Sequence, residues 1–231
     1  MKRFWRTAAA IQAADGWTIE LDGRPVRTPA RALLAVQSEA LGQAIAAEWQ
    51  NAGETVDPRA MPMTGLANAA VDRVMPDEQA FAENLARYGE SDLLAYRADG
   101  PQSLIDRQSA SWDPLLQWAR RRFDVDFVTT SGIGFVPQPS GTLERLRHAV
   151  AALAPFALAG LSPLVTIGGS LITALAVAEG AVDPEDAWAA ASLDESWQLE
   201  RWGRDLEAEA VLAGRKAEFL AGVRFLELLR P

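Results

Sequence analysis

The sequence of 231 residues contains no cysteine and a single histidine, His148. Without cysteine the chain can form no disulfide, no thiolate metal site and no cysteine nucleophile. A lone histidine also excludes any metal site that needs a pair of histidines. His148 projects away from the apolar face of its predicted helix, so we expect a solvated side chain rather than the base of a Ser-His-Asp triad. No metal site is predicted.

Positive charge is scarce, with 22 Lys and Arg residues against 31 Asp and Glu residues and a formal net charge of −9. Nucleic-acid binding needs clustered basic side chains that neutralise phosphates. The densest basic cluster, at residues 120–122, ends a predicted helix, where cations complement the helix dipole. We therefore predict an acidic protein without a nucleic-acid partner.

Motifs for nucleotide binding and for hydrolysis are missing as well. The glycine pair at 168–169 is not followed by a lysine, and the glycines at 132 and 134 lie outside any βαβ pattern. A Gly-x-Ser-x-Gly nucleophile elbow does not occur. Close packing and a turn explain these glycines better. The sequence predicts no catalytic residues, no required nucleotide and no cofactor.

Residues 149–178 carry no charge and are numerous enough to span a bilayer. Pro155, Gly160 and Pro163 interrupt the run, which has no flanking Lys/Arg asymmetry and no Trp or Tyr belt. We predict a short helix, a turn at 160–163 and a central helix buried on all sides, without stable membrane insertion. A membrane-associated protein that uses this run is kept as an alternative.

The chain opens with MKRFWRT. This segment lacks the apolar core of a signal peptide, and it lacks the Ser- and Arg-rich character of a transit segment. The expected location is the cytoplasm of a bacterium.

Short extended runs separated by turn signals dominate the first 36 residues. Turns at 14–16 and 22–23 would join them into an antiparallel meander that is too small to be stable alone. We predict a mostly helical α+β protein, with a β-rich N-terminal domain at residues 1–60 that includes one helix and an all-α C-terminal domain at residues 61–231. The predicted strands cover residues 4–11, 17–21, 24–28 and 33–36.

Helical periodicity and cap residues locate the predicted helices. Ser38 would cap the first helix, with Leu41, Ile45 and Trp49 on its apolar face. Residues 127–136 are extended and contain turn signals, which favours a hairpin. The other predicted helices cover residues 66–74 with Thr64 as cap, a segment that starts at Pro76, residues 102–123, residues 142–153, a long helix from Asp183 to about Leu212 that Gly214 stops, and a last helix to Leu229.

The segment 102–123 contains Pro114 within an otherwise continuous apolar stripe. Asp113 and Pro114 form a favourable N-cap and N1 pair, so they could start a new helix. A proline can also kink a single helix that continues through it. The sequence leaves both arrangements open, and it predicts structural roles for Trp112, Asp113 and Pro114.

Two polar residues stand on the apolar face of the predicted long helix. Glu195, Gln198 and Trp202 are three and four residues apart, which places them on one face, and Trp188 lies seven residues before Glu195. An ordinary amphipathic helix would place Leu or Ile at these two polar positions. Because burying an unpaired carboxylate is costly, Glu195 either has a partner, such as an arginine or a backbone amide, or faces a functional groove. Gly203, which follows at once, is predicted to be structural.

Tryptophan is frequent, with eight residues against two tyrosines. The helical period places Trp49 in the core. Trp112, Trp188, Trp197 and Trp202 cannot all share one helix face, so some of them are expected at the surface. Tryptophan is favoured there as an anchor of protein interfaces.

Short motifs spread over nearly the whole chain resemble those of one family. Each motif is weak alone, but their order and spacing together are specific. They resemble the chaperones that assemble the catalytic head of the F-type ATP synthase, of the type that attends the alpha subunit. The matching segments are RFW at 3–5, LDGRP at 21–25, TP at 28–29, IAAEW at 45–49, Pro58, MP at 61–62, residues 66–72, SDLLAYR at 91–97, Gln108, WDPLL at 112–116, Trp118, and Glu195, Gln198 and Trp202-Gly203.

This resemblance implies a two-part fold with no enzymatic activity, no cofactor and no bound nucleotide. Its members bind the unassembled alpha subunit, shield the surface destined for the beta subunit and release it when beta arrives. Mitochondrial members carry a targeting segment, so the resemblance is to a bacterial form. The acidic position of the family's C-terminal domain falls on Glu195, and its Glu-Trp pair falls on Glu48 and Trp49. The implied partner-binding residues are Glu195, Gln198, Trp202 and Glu48.

A small-molecule-binding protein or an enzyme is the alternative to a chaperone. It would use a pocket at Glu195, Gln198 and Trp202. A ligand that raises the melting temperature of the protein would favour this alternative, because binding to the folded state stabilises it.

Overall fold

The computed structural model describes residues 2–14, 16–132, 134–203 and 205–230, without the side chain of Trp202. The chain divides into two compact units, each built from segments that are distant in sequence. The first unit consists of Met1–Glu78, Ala154–Gly160 and Arg224–Pro231, and the second consists of Gln79–Leu153 and Leu161–Val223.

A small antiparallel sheet begins the first unit. Strand β1 (Ala8–Ala13) pairs with β2 (Gly16–Leu21), and β2 pairs further with β3 (Arg24–Pro25) and β4 (Ala35–Val36). The turn between β2 and β3 places two residues in left-handed conformation, as hairpin turns require. The predicted antiparallel meander is therefore confirmed for β1, β2 and β3, whereas β4 pairs with β2 and not with β3. Residue 15 of the first predicted turn lies outside the described residues.

Helix α1 (Glu39–Gln50) packs on β1 and β2. Its start at Ser38 is confirmed, because the Ser38 hydroxyl oxygen accepts a hydrogen bond from the Leu41 N–H at 3.3 Å. Leu41 and Ile45 of the predicted apolar face are fully buried. The sheet and this face of α1 together form one part of the core of the unit.

Helix α2 (Pro62–Ala69) follows α1 and packs against it, and a π-helical turn at Ala70–Val74 extends α2. The helix begins earlier than predicted because Pro62 occupies its first turn, where a missing N–H costs nothing. Thr64 was expected to cap the helix, but it lies inside α2 and is buried.

The compact units are defined by packing, and the predicted domains at 1–60 and 61–231 by the change from a β-rich to a helical pattern, so the two divide the chain on different grounds. Helix α2 belongs with the sheet and α1, and two later segments of the chain return to the same unit. Packing determines to which unit these segments belong. The change from strand to helix periodicity shows only where the local structure of the chain changes. The fold class is confirmed as α+β and mostly helical.

The second unit is mainly helical. After α3 (Glu78–Ala86) and two 3₁₀ turns, β5 (Tyr96–Arg97) pairs in parallel with β6 (Thr130–Ser131), so the predicted hairpin at 127–136 is wrong for its described residues. The partner strand β5 is more than 30 residues away in sequence, so the local pattern at 127–136 could not indicate the pairing. The helices that follow β5 are α4 (Gln102–Phe123), α5 (Ser140–Ala151), α6 (Pro155–Gly168, shared by both units), α7 (Leu171–Ala178), α8 (Pro184–Ala191), α9 (Leu193–Trp202) and α10 (Leu206–Leu228, whose end belongs to the first unit).

Helix α4 continues through Pro114 without interruption. Of the two arrangements that the sequence allowed, a single helix is the one observed. Trp112 and Leu115, on either side of the proline, are 0% and 6% exposed. Their burial offsets the hydrogen bond that proline cannot donate.

The predicted turn at 160–163 is wrong, because α6 continues through Gly160 and Pro163. The chain turns instead at Gly169, whose φ is +68°, and Ser170 caps α7 by accepting from the Thr173 N–H at 3.0 Å. Every residue from Leu171 to Val177 is buried, which confirms the central buried helix. Within the described ranges, the helices are too short or too polar to traverse a bilayer.

The predicted long helix from Asp183 to Leu212 is in fact three helices. Ser192 ends α8, and its hydroxyl donates a hydrogen bond to the Trp188 carbonyl at 2.8 Å. Gly203, with φ +94°, ends α9. Gly214 was predicted to stop the helix, but it lies inside α10. A glycine can adopt helical φ and continue a helix, as Gly214 does. Gly203 has a positive φ, which ends the helix.

Two helical glycines provide a matched test of packing. A Cβ at Gly160 would lie 2.9 Å from Leu226 Cδ2, whereas a Cβ at Gly214 would meet no atom within 4 Å. We expect Gly160→Ala to lower the free energy of unfolding by about 1–3 kcal/mol through overpacking. Gly214→Ala should raise it by up to about 1 kcal/mol, because alanine is the better helix former. Denaturant unfolding measures both, and equal stability of the two variants would contradict the close contact at Gly160.

The carboxylate of Asp92 is fully buried and lies against the start of α7, although Asp92 is distant from that helix in sequence. It accepts hydrogen bonds from the N–H groups of Ile172 and Leu94, both at 3.1 Å. Burial raises the pKa of Asp92 to about 6, although these hydrogen bonds act in the opposite direction. The folded protein therefore holds a proton that the unfolded chain releases at lower pH.

Stability should consequently fall as the pH rises from the ordinary pKa of 3.8 through about 6. The contribution of Asp92 is at most roughly 3 kcal/mol, since one pKa unit corresponds to about 1.4 kcal/mol. Asp92→Asn cannot ionise, so its stability should change less over this range. Urea unfolding at several pH values measures the slope for each protein. Identical slopes would show that Asp92 does not titrate there.

Candidate partner-binding site

Glu195 forms an ion pair that is half open to solvent. Its Oε1 accepts a hydrogen bond from Arg215 Nη1 at 3.0 Å, and Arg215 Nη2 donates to the Ile167 carbonyl at 2.9 Å. The side chains of Glu195 and Arg215 are 44% and 37% exposed. At such exposure an ion pair contributes at most about 1 kcal/mol to stability. The pair therefore fixes the position of the carboxylate more than it stabilises the fold.

Two hollows adjoin this ion pair. The first, which we call the α9–α10 groove, has a volume of about 660 Å³ and is lined by α9, by Gly203 and Asp205, and by the first turns of α10. The second, of about 480 Å³, is lined partly by Tyr96, Trp112 and Asp194. Glu195 and Arg215 line both hollows. The sequence left a partner and a groove open as alternatives for Glu195, and the structure contains both.

The residues predicted to share one helix face lie on two helices, because α8 ends at Ser192. Trp188 is 6% exposed and packs against Phe219, with ring centroids 5.5 Å apart, whereas Gln198 is exposed and lines the α9–α10 groove. The structure therefore brings Gln198 together with Glu195 but leaves Trp188 in the core. The side chain of Trp202 lies outside the described residues.

A buried amide links α4 to α9 beside Glu195. Gln108 is 1% exposed, its Nε2 donates to Asp194 Oδ1 at 2.8 Å, and its Oε1 accepts from the Ala98 N–H at 2.8 Å. Trp112 on the same helix donates its indole N–H to the Ala190 carbonyl at 2.9 Å. The bond to Asp194 holds the start of α9, and the bond to Ala190 holds the end of α8. Each one satisfies a buried side-chain N–H group of α4. Asp113 pairs with Arg97 at 2.7 Å.

Arg215 and Gln108 had no predicted role beside Glu195. Arg215 follows Glu195 by 20 residues, across the break at Gly203, and Gln108 precedes Asp194 by 86. No local spacing can reveal either contact, because helical periodicity reports only on neighbours within one helix.

Glu48 lies in the first unit and serves as a helix cap. Its carboxylate accepts from the N–H groups of Met63 and Thr64 at 2.7 and 2.8 Å and from the Thr64 hydroxyl at 2.7 Å. Met61, at the N-cap position of α2, supplies no side-chain bond of its own. Helix α1 thus provides the acceptor that α2 lacks at its N-terminus. A negative charge is favoured at this terminus by the helix dipole.

Trp49, next to Glu48, is half-buried and contacts Trp5 edge to face, with ring centroids 5.1 Å apart. A hollow of about 510 Å³ adjoins Glu48 and is also lined by Met61 and Arg224. Over the part of the chain that the structure describes, no three His, Asp or Glu side chains are grouped to hold a metal ion.

Comparisons with known proteins identify the family. Residues 2–120, about half of the chain, match the family model described as ATP12 chaperone protein. The chain belongs to the ATP12 chaperone family. Its fold is similar to the crystal structure of Atp12 from Paracoccus denitrificans, with a TM-score of 0.94, 45% identity, and coverage of 99% of this chain and 98% of that one.

Two further relatives agree with this membership. A candidate chaperone from Agrobacterium tumefaciens is 38% identical, with a TM-score of 0.94 over 99% of this chain and 86% of that one. The mitochondrial protein atp12 of Schizosaccharomyces pombe is 28% identical over 215 residues, which are 87% of this chain and 74% of the relative. Similarity to the Paracoccus and Agrobacterium structures covers both units, including the half of the chain beyond the family match.

The cap by Glu48 predicts a loss of stability on its removal. Glu48→Ala would leave the N–H groups of Met63 and Thr64 without their acceptor, and we expect the free energy of unfolding to fall by about 2 kcal/mol. Glu39→Ala, on the exposed first turn of the same helix, should change it by less than about 1 kcal/mol. Chemical denaturation compares the two variants. Equal losses would show that the cap contributes no more than an ordinary surface charge.

Proposed function

We propose that this ATP12-family protein binds the unassembled alpha subunit of the F-type ATP synthase, shields its interface and releases it to the beta subunit. Membership of a family of ATP synthase assembly chaperones supports the proposal. An unassembled subunit exposes apolar surface that would otherwise aggregate, so its chaperone needs a surface that can cover it. The protein is proposed to act by binding alone, without catalysis, nucleotide or cofactor, in the cytoplasm of a bacterium.

The observation that carries the proposal is the half-exposed, oriented carboxylate of Glu195 beside the α9–α10 groove. Arg215 holds Oε1, while among the described residues no hydrogen bond is made to Oε2. A partner's cation could therefore bind Glu195 without displacing Arg215. Charged groups that are fixed before binding give specificity at a low entropic cost.

The proposed contact residues are Glu195, Gln198, Trp202 and Glu48. Gln198 borders the groove and can donate and accept hydrogen bonds there. Glu48 already has three donors in the first unit, so its proposed contribution is to hold α2 beside the neighbouring hollow.

A small-molecule-binding protein is the second candidate, since the groove volume of about 660 Å³ falls within the range of ligand sites. A thermal-shift screen against metabolites tests it. A compound that raises the melting temperature of the wild type but not of Glu195→Gln would favour this second function over the chaperone.

Co-expression with the cognate alpha subunit tests the chaperone proposal. We expect alpha to become soluble and to co-migrate with the chaperone in gel filtration. Glu195→Lys should abolish this complex, because it places a second cation beside Arg215 and repels a basic partner. The melting temperature of the variant should change little, as the original pair is half exposed.

Glu200→Lys is the matched control, with the same change of charge on the same helix. Glu200 pairs with Arg107 at 2.7 Å and does not line the groove. We expect Glu200→Lys to retain alpha. Full retention of alpha by folded Glu195→Lys would remove Glu195 from the site, and failure of the wild type to bind alpha would overturn the proposed function itself.

A further inference from the structure

The α9–α10 groove has apolar side chains that nothing in the described chain covers. Val211, which lines it, is 60% exposed. Leu206 does not line the groove, but it lies between the lining residues Asp205 and Glu207 and is 75% exposed. Leu199, Ala208 and Leu212 add to the apolar lining. Apolar surface gathered around a groove is characteristic of a site that binds another molecule.

The charges at this groove are predominantly negative. Glu195, Asp205 and Glu207 contribute three carboxylates, against the single guanidinium of Arg215 among the described lining residues. Arg215 is already bound to Glu195 and to the Ile167 carbonyl. Asp205 Oδ1 accepts from the N–H groups of Glu207 and Ala208, so α10 fixes this carboxylate at its N-terminus. The described lining residues therefore present net negative charge to an approaching segment.

From these observations we propose that the α9–α10 groove receives a basic amphipathic segment of the alpha subunit. Apolar side chains of the segment would pack on Val211 in the groove and on Leu206 next to it, and flanking Lys or Arg side chains would face Glu207 and Oε2 of Glu195, to which no described residue donates. This inference rests on the proposed function and specifies the chemistry of the segment. Apolar contacts supply most of the affinity of such a site, and complementary charge supplies speed and selectivity.

The negative charge of the described lining residues disfavours acidic occupants of the groove. An acidic peptide or a nucleic acid would meet like charge at its rim. A second copy of this chain, with a net charge of −9, would be repelled as a whole. Arg215 acts as a positioning residue, because its hydrogen bond to Oε1 orients the Glu195 carboxylate.

The test separates the apolar and the charged parts of the groove. Dissociation constants for the purified alpha subunit are measured at low and at high salt for the wild type, Val211→Ser, Glu207→Gln and Val128→Ser. Val128 is also exposed, at 42%, but lies outside the groove, so it is the matched control for Val211. Melting temperatures establish that each variant is folded.

We expect Val211→Ser to weaken binding roughly tenfold at both salt concentrations, as the loss of an interface anchor does. Glu207→Gln should weaken binding chiefly at low salt and reduce its salt dependence, because salt screens exposed charges. Val128→Ser should bind as the wild type does. An array of overlapping peptides from the alpha subunit should identify binders that contain both apolar and basic residues.

The outcomes distinguish this inference from the proposed function. If the wild type binds alpha while Val211→Ser and Glu207→Gln bind equally well, the groove is not the docking site although the chaperone function stands. Peptide binding confined to acidic segments would likewise overturn the chemistry proposed for the occupant. If the wild type binds no alpha, the function and the inference fall together.

Discussion

The candidate site depends on two interruptions in one helical pattern. Ser192 separates α8 from α9, and Gly203 separates α9 from α10. The first break lets Trp188 stay in the core while Glu195 reaches the surface. The second break lets α10 fold back, so that Arg215 meets a carboxylate that a continuous helix would carry 20 residues, or about 30 Å, away from it. Backbone geometry at two positions thus creates both the ion pair and the groove.

Electrostatics at this site serve orientation rather than stability. The Glu195–Arg215 pair is too exposed to contribute much free energy to folding, yet it points one carboxylate in a fixed direction. Buried polar groups nearby, such as Gln108, fix the helix that carries it. Membership of the ATP12 chaperone family agrees with a surface built for contact. The same physical pattern, an apolar groove with an acidic rim, is what selects a basic partner segment in the proposal above.

Local signals predicted some elements well and others poorly. The helical segment 102–123 followed from its apolar stripe, the cap at Ser38 from its residue type and the buried α7 from an uncharged run, since each depends on residues within one element. The sequence leaves open whether 102–123 forms one helix or two. Gly160 and Gly214 were misread as breakers because a glycine permits many conformations and requires none. At Gly160 the close approach of Leu226, 66 residues later, explains the glycine instead. Ser192 gave no break signal that periodicity could detect.

The sequence by itself determined the fold class, the absence of cysteine chemistry, the acidic charge and the unusual placement of Glu195 and Gln198 on one helix face. Tertiary structure alone decided which groups those side chains meet. Arg215 contacts Glu195 because the chain reverses direction between them, and Glu48 of α1 caps the N-terminus of α2. The physical reason is that periodicity fixes the face on which a side chain lies, whereas the partner on that face is brought there by the packing of distant segments.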